Sequence, residues 1–366
     1  MSTRGRTFQL GTRGSDLALR QAATVQETLS SRRQAVELVE VETRGDQIRD
    51  ELIHRLGKTG AFVRSIDEKV LSGDLDGAIH SMKDMPTEQP DELVVAGVPE
   101  RAAATDVLVT PDGTTLDDLP EGATVGTSSL RRGAQLLAER PDLAVEPLRG
   151  NVDTRLVKLL APSLQREHAE RSDAEDDRKA NVDNDDYEHP YDRTVEEWFD
   201  DLAEIERRAL EREVETAYDA IVLAEAGLER SGLLHHVEYQ RLSPDTFVPA
   251  AGQGALAITA VDDEVVEYVR DTIDHPRSRV ETTVERTVLE ELGGGCVAPV
   301  GIHAVVQGEY VHTRVRVLSR DGTEEVSESR DLSVQNHAKE ARDFAAHLAE
   351  KGGAELIEQA RREAEE

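Results

Sequence analysis

Residues 123–140 read ATVGTSSLRRGAQLLAER and combine a short apolar run, a polar turn and an amphipathic helical pattern. An apolar run of strand length that leads through such a turn into a helix is the repeating unit of α/β folds. Residues 143–160 and 218–230 repeat the same order. This repetition predicts an α/β unit whose ligands bind where the turns leave the carboxyl ends of the strands.

Residues 8–110 form a similar unit. Residues 8–30 predict a strand, a glycine-containing turn and a helix that Ser15 or Asp16 could cap. The alternation continues with a helix at 61–73 and with apolar runs at 36–43, 76–81, 92–100 and 105–110. This order predicts an α/β domain with a largely parallel sheet, and two such units predict two lobes with a cleft between them.

The chain divides into three predicted domains. We assign residues 1–104 with 249–275 to a first α/β lobe, residues 105–248 to a second, and residues 276–366 to a small C-terminal α+β domain. The C-terminal part contains a helical pattern that ends at Gly293–Gly295, three strands with antiparallel patterning, and two helices separated by a Gly-Gly break.

Residues 161–216 differ from their surroundings, with 20 acidic and 8 basic side chains. Residues 172–192 lack apolar periodicity and predict a disordered or loosely held loop. Residues 194–215 then predict one helix with an apolar face, formed by Val195, Trp198, Phe199, Leu202, Ile205 and Leu210. We interpret the block as an insertion into the second lobe that decorates its surface, and a lid or partner-docking segment is the alternative.

The charge balance excludes several classes of protein. The chain has 43 Lys+Arg against 75 Asp+Glu, a net charge of −32, which disfavours nucleic-acid binding by a cationic surface. The chain contains no apolar run of 18 residues, so no membrane span is predicted. The single cysteine, Cys296, excludes a disulfide scaffold. The N-terminus carries no export signal, so we expect a cytoplasmic protein.

The type of charge is also unusual. Only seven of the basic residues are Lys, and aromatic residues make up 3% of the chain. Abundant carboxylates with few Lys resemble proteins adapted to molar salt, where screening weakens self-repulsion. The alternative is an ordinary acidic cytosolic protein.

Basic residues nevertheless gather in the polar turns at the predicted strand ends. They are Arg13, Arg44, Lys58, Lys83, Arg131, Arg132, Arg149, Arg155 and Arg230. Arg suits bidentate capture of carboxylates or phosphates. Thr127, Ser128 and Ser129 add hydroxyls at a predicted helix N-terminus, which favours anions. These turns predict a site for a ligand with several negative groups, although each Arg alone could be an ordinary surface residue.

Two further residues are candidates for chemistry. Asp84 follows Lys83 in an expected extended turn before Pro86, and could stabilise a cationic intermediate or move a proton. It could equally be a simple neighbour of Lys83. Cys296 lies in LGGGCVAPVG and could be a nucleophile or attachment point, or a small buried apolar residue. Dinucleotide and P-loop motifs are absent, and His235–His236 lack metal-ligand spacing.

Together the motifs resemble one family, porphobilinogen deaminase (hydroxymethylbilane synthase), and in particular a halophilic archaeal member. The resemblance spans nearly the whole chain except residues 161–216 and rests, in order, on TRGSDLAL, VETRGD, HSMKDMP, GTSSLRR, LRGNVDTRL, YDAIVLAEAGLER, VPAAGQGALAI and GGGCVAPVG. It implies two periplasmic-binding-protein-like lobes with a cleft between them plus a C-terminal α+β domain that carries the cofactor cysteine.

The resemblance also implies an activity in tetrapyrrole and heme biosynthesis. Four porphobilinogen molecules would be condensed head to tail, each losing ammonia, on a dipyrromethane cofactor held covalently by Cys296, one per chain, to give hydroxymethylbilane. Asp84 would be the catalytic residue. Implied cofactor-binding residues are Lys83, Asp84, Thr127, Ser128, Ser129, Arg131, Arg132 and Arg155. Implied substrate-binding residues are Arg13, Ser15, Arg149, Arg155 and Arg230.

The chain departs from the family pattern in the 55–62 loop, in GGGC where the family has EGGC, and in the insertion at 161–216. Residues 56–62 read LGKTGAF where the family often has GGKGLF, so that Lys58 lies one place early and Thr59 replaces the usual Lys. The resemblance further implies a cytoplasmic monomer without metal, nucleic-acid or membrane partners, and hand-over of the product to uroporphyrinogen-III synthase. A two-lobed solute-binding protein for an anionic ligand is the alternative function, against which the missing export signal and the glycine-flanked Cys296 argue.

Overall fold

The computed structural model describes residues 6–41, 61–180, 190–295 and 298–365. Arg44, Lys58, Thr59 and Cys296, on which several sequence predictions rest, therefore lie outside the described residues. Within the described ranges, no helix is long and apolar enough to cross a membrane.

The first sheet has five strands in the order β2-β1-β3-β10-β4. They are β1 (Thr7–Arg13), β2 (Ala35–Val41), β3 (Gly77–Ser81), β4 (Val94–Gly97) and β10 (Leu256–Ala260). Strand β1 is parallel to β2 and β3, whereas β10 is antiparallel to β3 and β4.

The second sheet has the same size, in the order β7-β6-β8-β5-β9. Its strands are β5 (Asp106–Thr110), β6 (Thr124–Gly126), β7 (Ala144–Glu146), β8 (Ala220–Ala224) and β9 (Glu238–Arg241). Strand β6 is parallel to β7 and β8, and β5 is antiparallel to β8 and β9.

The prediction of a largely parallel sheet is confirmed for strand direction, since four strands of each sheet run the same way and one strand, β10 or β5, runs opposite to them. The reversal of β10 follows from where this strand begins. The chain enters β10 after crossing back from the second lobe, and Met82 N, at the end of β3, donates to Ala255 O at 3.0 Å. A strand that begins where its neighbour ends must run antiparallel to it.

Helices accompany these two sheets, and the last of these helices, Pro276–Glu291, packs in the C-terminal domain. They are α1 (Asp16–Leu29), α2 (Ala61–Leu71), α3 (Leu130–Glu139), α4 (Val152–Ala180), α5 (Val195–Asp201), α6 (Glu204–Leu210), α7 (Glu225–Ser231), α8 (Asp263–Ile273) and α9 (Pro276–Glu291). Ser15 is the cap of α1, since its Oγ accepts a hydrogen bond from Ala18 N at 3.3 Å. The helix buries Ala22, Val25 and Leu29 against the first sheet.

The C-terminal residues form the α+β arrangement predicted from the sequence. The strands β11 (Val300–Gln307), β12 (Tyr310–Leu318) and β13 (Glu325–Ser333) pair antiparallel in sequence order. Helices α10 (His337–Leu348) and α11 (Ala354–Glu365) follow, and the break between them contains Gly352 with φ of +101°. Val284 and Val288 of α9 share a buried apolar cluster with Phe344 of α10.

The acidic block is more ordered than predicted. Residues 172–180, predicted as loop, continue the 29-residue helix α4. Oppositely charged side chains three or four residues apart support this helix, and they are Arg171–Glu167, Arg178–Glu175 and Lys179–Asp176. The rest of the predicted loop, residues 181–189, lies outside the described part of the chain.

The single helix predicted for residues 194–215 is instead two short helices, α5 and α6. A capping box of Thr194 and Glu197 begins α5, and the helical pattern breaks at Leu202–Ala203. Trp198 and Ile205 are buried against Leu164 of α4, whereas Phe199 remains 39% exposed. The predicted apolar face is therefore only partly correct, because Phe199 directly follows Trp198 in α5 and lies about 100° further around that helix.

Candidate active site

Lys83 and Asp84 directly follow strand β3 of the first lobe. They belong to a single 3-10 turn, Met82–Asp84, so the expected extended turn begins only at Met85, which has φ −75° and ψ 139°. Met82 and Met85 are buried and anchor the segment, while Lys83 is half-buried and Asp84 is exposed. The carboxylate of Asp84 is thus accessible to a ligand.

The polar turn of the second lobe lies between β6 and α3. Ser129 Oγ caps α3 by accepting from Arg132 N at 3.4 Å, and Thr127 Oγ1 accepts from Ser129 N at 3.2 Å. Ser128 Oγ donates to Leu148 O at 2.9 Å. These hydroxyls shape the turn, and Ser128 and Ser129 stay partly exposed.

Arg131 and Arg132 meet a buried carboxylate that the sequence analysis missed. Asp106 is fully buried at the start of β5. Its Oδ2 accepts from Arg131 Nη2 at 2.7 Å, and its Oδ1 accepts from Arg132 Nη2 at 2.8 Å. Burial alone would raise the pKa of Asp106, but the two guanidinium groups outweigh burial and hold that pKa well below its usual value.

Lys83 of the first lobe lies close to this group. Burial lowers the pKa of Lys83, Asp84 and Asp106 oppose that shift, and Arg131 and Arg132 add to it. The end of β3 and the start of α3 therefore lie within electrostatic range of each other across the boundary between the lobes.

Arg155, on the first turn of α4, completes the cluster. Its Nε donates to Gly150 O at 2.8 Å. Burial, followed by repulsion from Arg132, lowers the pKa of Arg155 to about 10, while Asp84 opposes the shift. Lys83, Asp84, Arg132 and Arg155 are therefore electrostatically coupled across the two lobes.

The other predicted site residues are more dispersed. Arg13 and Ser15 lie at the end of β1, beside β3 in the same sheet, and Arg149 precedes α4. Arg230 ends α7, where its Nη2 donates to Gly254 O at 2.8 Å. It lines a cavity of about 580 Å³ together with Arg20 and Thr24 of α1.

Some residues that the sequence analysis did not predict connect the C-terminal domain to the segments that join the two lobes. Glu285 of α9 is fully buried and accepts from Arg101 Nη1 at 2.8 Å, Gly252 N at 2.7 Å and Ala304 N at 2.8 Å. The next residue, Arg286, donates to Pro86 O at 2.7 Å. Charged residues within apolar runs, such as Asp106 in TDVLVT, were the available signal for such partners.

The donor set fits a ligand with several carboxylates. Lys83 and Arg155 are coupled to the exposed carboxylate of Asp84 and to Arg132, which suits polyanion binding beside a point of developing positive charge. Helix α9 ends at Glu291, shortly before Cys296, and contacts the Asp84 segment through Arg286. Among the described residues, no group of three His, Cys, Asp or Glu side chains could hold a metal ion.

Comparison with known proteins identifies the family. The model described as "Porphobilinogen deaminase, dipyromethane cofactor binding domain" matches residues 8–166 and 204–267, and that of the "C-terminal domain" matches residues 280–352. The first match leaves 167–203 unmatched, inside the acidic block.

Similar proteins agree with this match. A "Probable porphobilinogen deaminase" of Halobacterium salinarum is 53% identical, with 98% of this chain and 99% of that relative covered. Another of Methanococcoides burtonii is 37% identical, with 96% of both chains covered. The periplasmic ectoine-binding protein from the TeaABC TRAP-transporter of Halomonas elongata is 12% identical, with a TM-score of 0.32, and the alignment covers 98% of this chain and 99% of that chain. A similarity this low does not indicate a shared function. The chain belongs to the porphobilinogen deaminase family and is thus a transferase of tetrapyrrole biosynthesis that uses a dipyrromethane cofactor.

Proposed function

We propose that this porphobilinogen deaminase condenses four porphobilinogen molecules around Asp84, in the cluster that Lys83, Arg132 and Arg155 form with it. The observation that carries the assignment is the pairing of Arg131 and Arg132 with Asp106, at 2.7 and 2.8 Å, in a group that is electrostatically coupled to Lys83, Asp84 and Arg155. Each pyrrole of the substrate carries an acetate and a propionate, so cations at the lobe boundary match its charge.

The cofactor would be held by residues that the cluster contains or borders. Cys296 attaches it covalently, and Lys83, Asp84, Thr127, Ser128, Ser129, Arg131, Arg132 and Arg155 bind it. The cofactor, when bound, supplies the nucleophilic pyrrole carbon to which the first substrate is joined. Covalent attachment keeps the growing chain beside Asp84 and makes each coupling nearly intramolecular.

Asp84 acts on charge and protons. As ammonia leaves porphobilinogen, positive charge develops on the pyrrole, and a carboxylate at the pyrrole N–H stabilises it. The same carboxylate can move a proton to or from the reacting groups. Its exposure at the end of the 3-10 turn supports this role, because a substrate can reach it directly.

Substrate carboxylates would be bound by cations around the cluster. We assign this role to Arg13, Ser15, Arg149, Arg155 and Arg230. The position of Arg13 and Ser15 at the carboxyl end of β1, next to β3, supports it for these two. Arg230 would have to exchange its bond to Gly254 O for a bond to the substrate.

A stoichiometric assay tests the assignment. Purified protein given porphobilinogen should release one ammonia per substrate consumed and one hydroxymethylbilane per four. Arg155→Ala should slow both ammonia release and hydroxymethylbilane formation. Arg208 is exposed in α6, and Arg208→Ala should change neither rate. Binding of porphobilinogen without ammonia release would contradict the proposal.

We also propose that the enzyme is a cytoplasmic monomer, adapted to high salt, that passes its product to uroporphyrinogen-III synthase. The net charge of −32 and the scarcity of Lys support the salt adaptation. Light scattering of the purified chain tests the monomer. Coupled assays measure how fast the second enzyme converts the product. Hand-over predicts conversion faster than free diffusion of the product would allow, and a rate equal to that of free diffusion would contradict it.

A further inference from the structure

Asp106 occupies an unusual position among the charged residues of the cleft. It is fully buried, and four hydrogen bonds from three side chains converge on its carboxylate. Arg131 Nη2 lies 2.7 Å from Oδ2. Arg132 Nε at 3.1 Å, Arg132 Nη2 at 2.8 Å and Gln253 Nε2 at 2.8 Å share Oδ1. One negatively charged carboxylate therefore faces two positively charged guanidinium groups, and the three side chains together keep one positive charge.

Both arginines are fixed at a second point. Arg131 Nη1 donates to Val248 O at 2.7 Å, and Arg132 Nη1 donates to Val222 O at 3.3 Å. A guanidinium carries five N–H groups, so each arginine retains donors after these bonds. The two arginines are buried and are oriented by the protein itself, and each keeps N–H groups beyond these bonds.

Gln253 extends the arrangement to the first lobe. Its Nε2 also donates to Ala104 O at 2.5 Å, so it joins the outgoing and the returning crossover segments. The adjacent Gly252 has φ of +73°, and a Cβ there would lie 2.8 Å from Met82 Cγ and 3.3 Å from Lys83 N. Asp106 is therefore connected, through Gln253, to the backbone that supports Lys83 and Asp84.

We propose that Asp106 is a positioning residue, which orients Arg131 and Arg132 toward the cofactor's carboxylates and, through Gln253, keeps them in register with Lys83 and Asp84. Donors that are fixed before the ligand arrives need no reorganisation when charge is bound or moved. Without the carboxylate, the two guanidinium groups repel each other and turn apart. The proposal rests on the proposed function of the cluster.

Asp106→Asn tests the role, because it preserves volume but places an amide NH₂ against guanidinium donors. Asp142→Asn is the matched control, since Asp142 pairs with Arg140 in the same lobe away from the cleft. Three quantities are measured: the fraction of chains carrying dipyrromethane by intact mass, the masses of covalent adducts under limiting porphobilinogen, and kcat separately from KM.

Asp106→Asn should carry less cofactor and should accumulate adducts of intermediate length. It should lose about 10- to 100-fold in kcat, by analogy with side chains that orient the ligands of a bound metal. A change in KM alone, or behaviour equal to that of Asp142→Asn, would overturn the proposal.

Gln253→Met keeps the test decisive if Asp106→Asn does not fold. It removes the connection between the lobes but leaves Asp106 paired with both arginines. It should therefore load cofactor normally and still show intermediate adducts and a lowered kcat, and a wild-type adduct distribution would overturn the proposal. Failure of the proposed function itself is distinguishable, because the wild-type protein would then release no tetrapyrrole.

Discussion

The cleft cluster and the acidic block of residues 161–216 use the same charged residue types in opposite ways. In the cleft, Asp106 is fully buried, and its low pKa depends on two specific arginines. In the block, the pair of Lys179 and Asp176 has side chains that are 65% and 78% exposed. Exposed pairs contribute about 0–1 kcal/mol, whereas breaking a buried pair costs about 3–5 kcal/mol. Burial, and not charge type, therefore distinguishes the Asp106 cluster from the exposed ion pairs of the acidic block.

Removal of the attachment point should have the largest effect on the cleft. Cys296→Ala should abolish both the covalent cofactor and product formation, because no tether remains to hold the growing chain. Intact mass should show a wild-type chain heavier by two pyrrole units and an unmodified variant. An unmodified Cys296 in active wild-type protein would contradict the attachment.

Loss of the Asp84 carboxylate should rank second. Asp84→Ala should keep the cofactor but lose about 10²- to 10⁴-fold in kcat, the usual contribution of a positioned acid–base group. Steady-state kinetics and intact mass measure the two properties. Asp91→Ala, which removes an exposed carboxylate of the same lobe, is the control, and near-normal turnover of Asp84→Ala would remove it from its role.

Deletion of residues 165–212 should separate stability from chemistry. The cleft residues lie outside this range, so kcat per folded molecule should stay within about twofold, since distant sites act independently. The melting temperature should fall, because buried Trp198, Ile205 and Ala209 leave the core cluster of the second lobe. A folded but inactive deletion variant would favour the lid interpretation instead.

Two neighbouring aromatic residues sharpen the contrast inside the block. Trp198 is buried, whereas Phe199 is 39% exposed. Trp198→Ala should lower the free energy of unfolding by about 3 kcal/mol, and Phe199→Ala by about 0.5 kcal/mol or less. Denaturant unfolding of both variants measures the difference, and equal losses would show that the block does not pack on the lobe as described.

Salt should have the smallest and most diffuse effect. At about 1 M KCl the Debye length is ~3 Å, so repulsion among surface carboxylates is screened while buried pairs are little affected. We expect a higher melting temperature in molar KCl than in dilute buffer, with activity retained. Sucrose at equal osmolality separates screening from solute exclusion, and maximal stability in dilute buffer would refute the salt adaptation.

Much of the architecture follows from local pattern. The strand–turn–helix order of residues 123–140, the cap at Ser15 and the helix break near Gly352 were all predictable, because each depends on residues within a few positions of one another. The motifs that identify the family are local for the same reason. They placed Lys83, Arg132 and Arg155 at strand ends before any contact was known.

Only the tertiary structure decided how distant segments meet. Strand β10 runs antiparallel because of where the chain returns from the second lobe, which periodicity does not record. Asp106 finds Arg131 at a separation of 25 residues and Gln253 at 147. The sequence by itself determined the repeated units, the family and the candidate residues. Which carboxylate is buried between which cations was decided by packing, because burial and pairing depend on segments far apart in the chain.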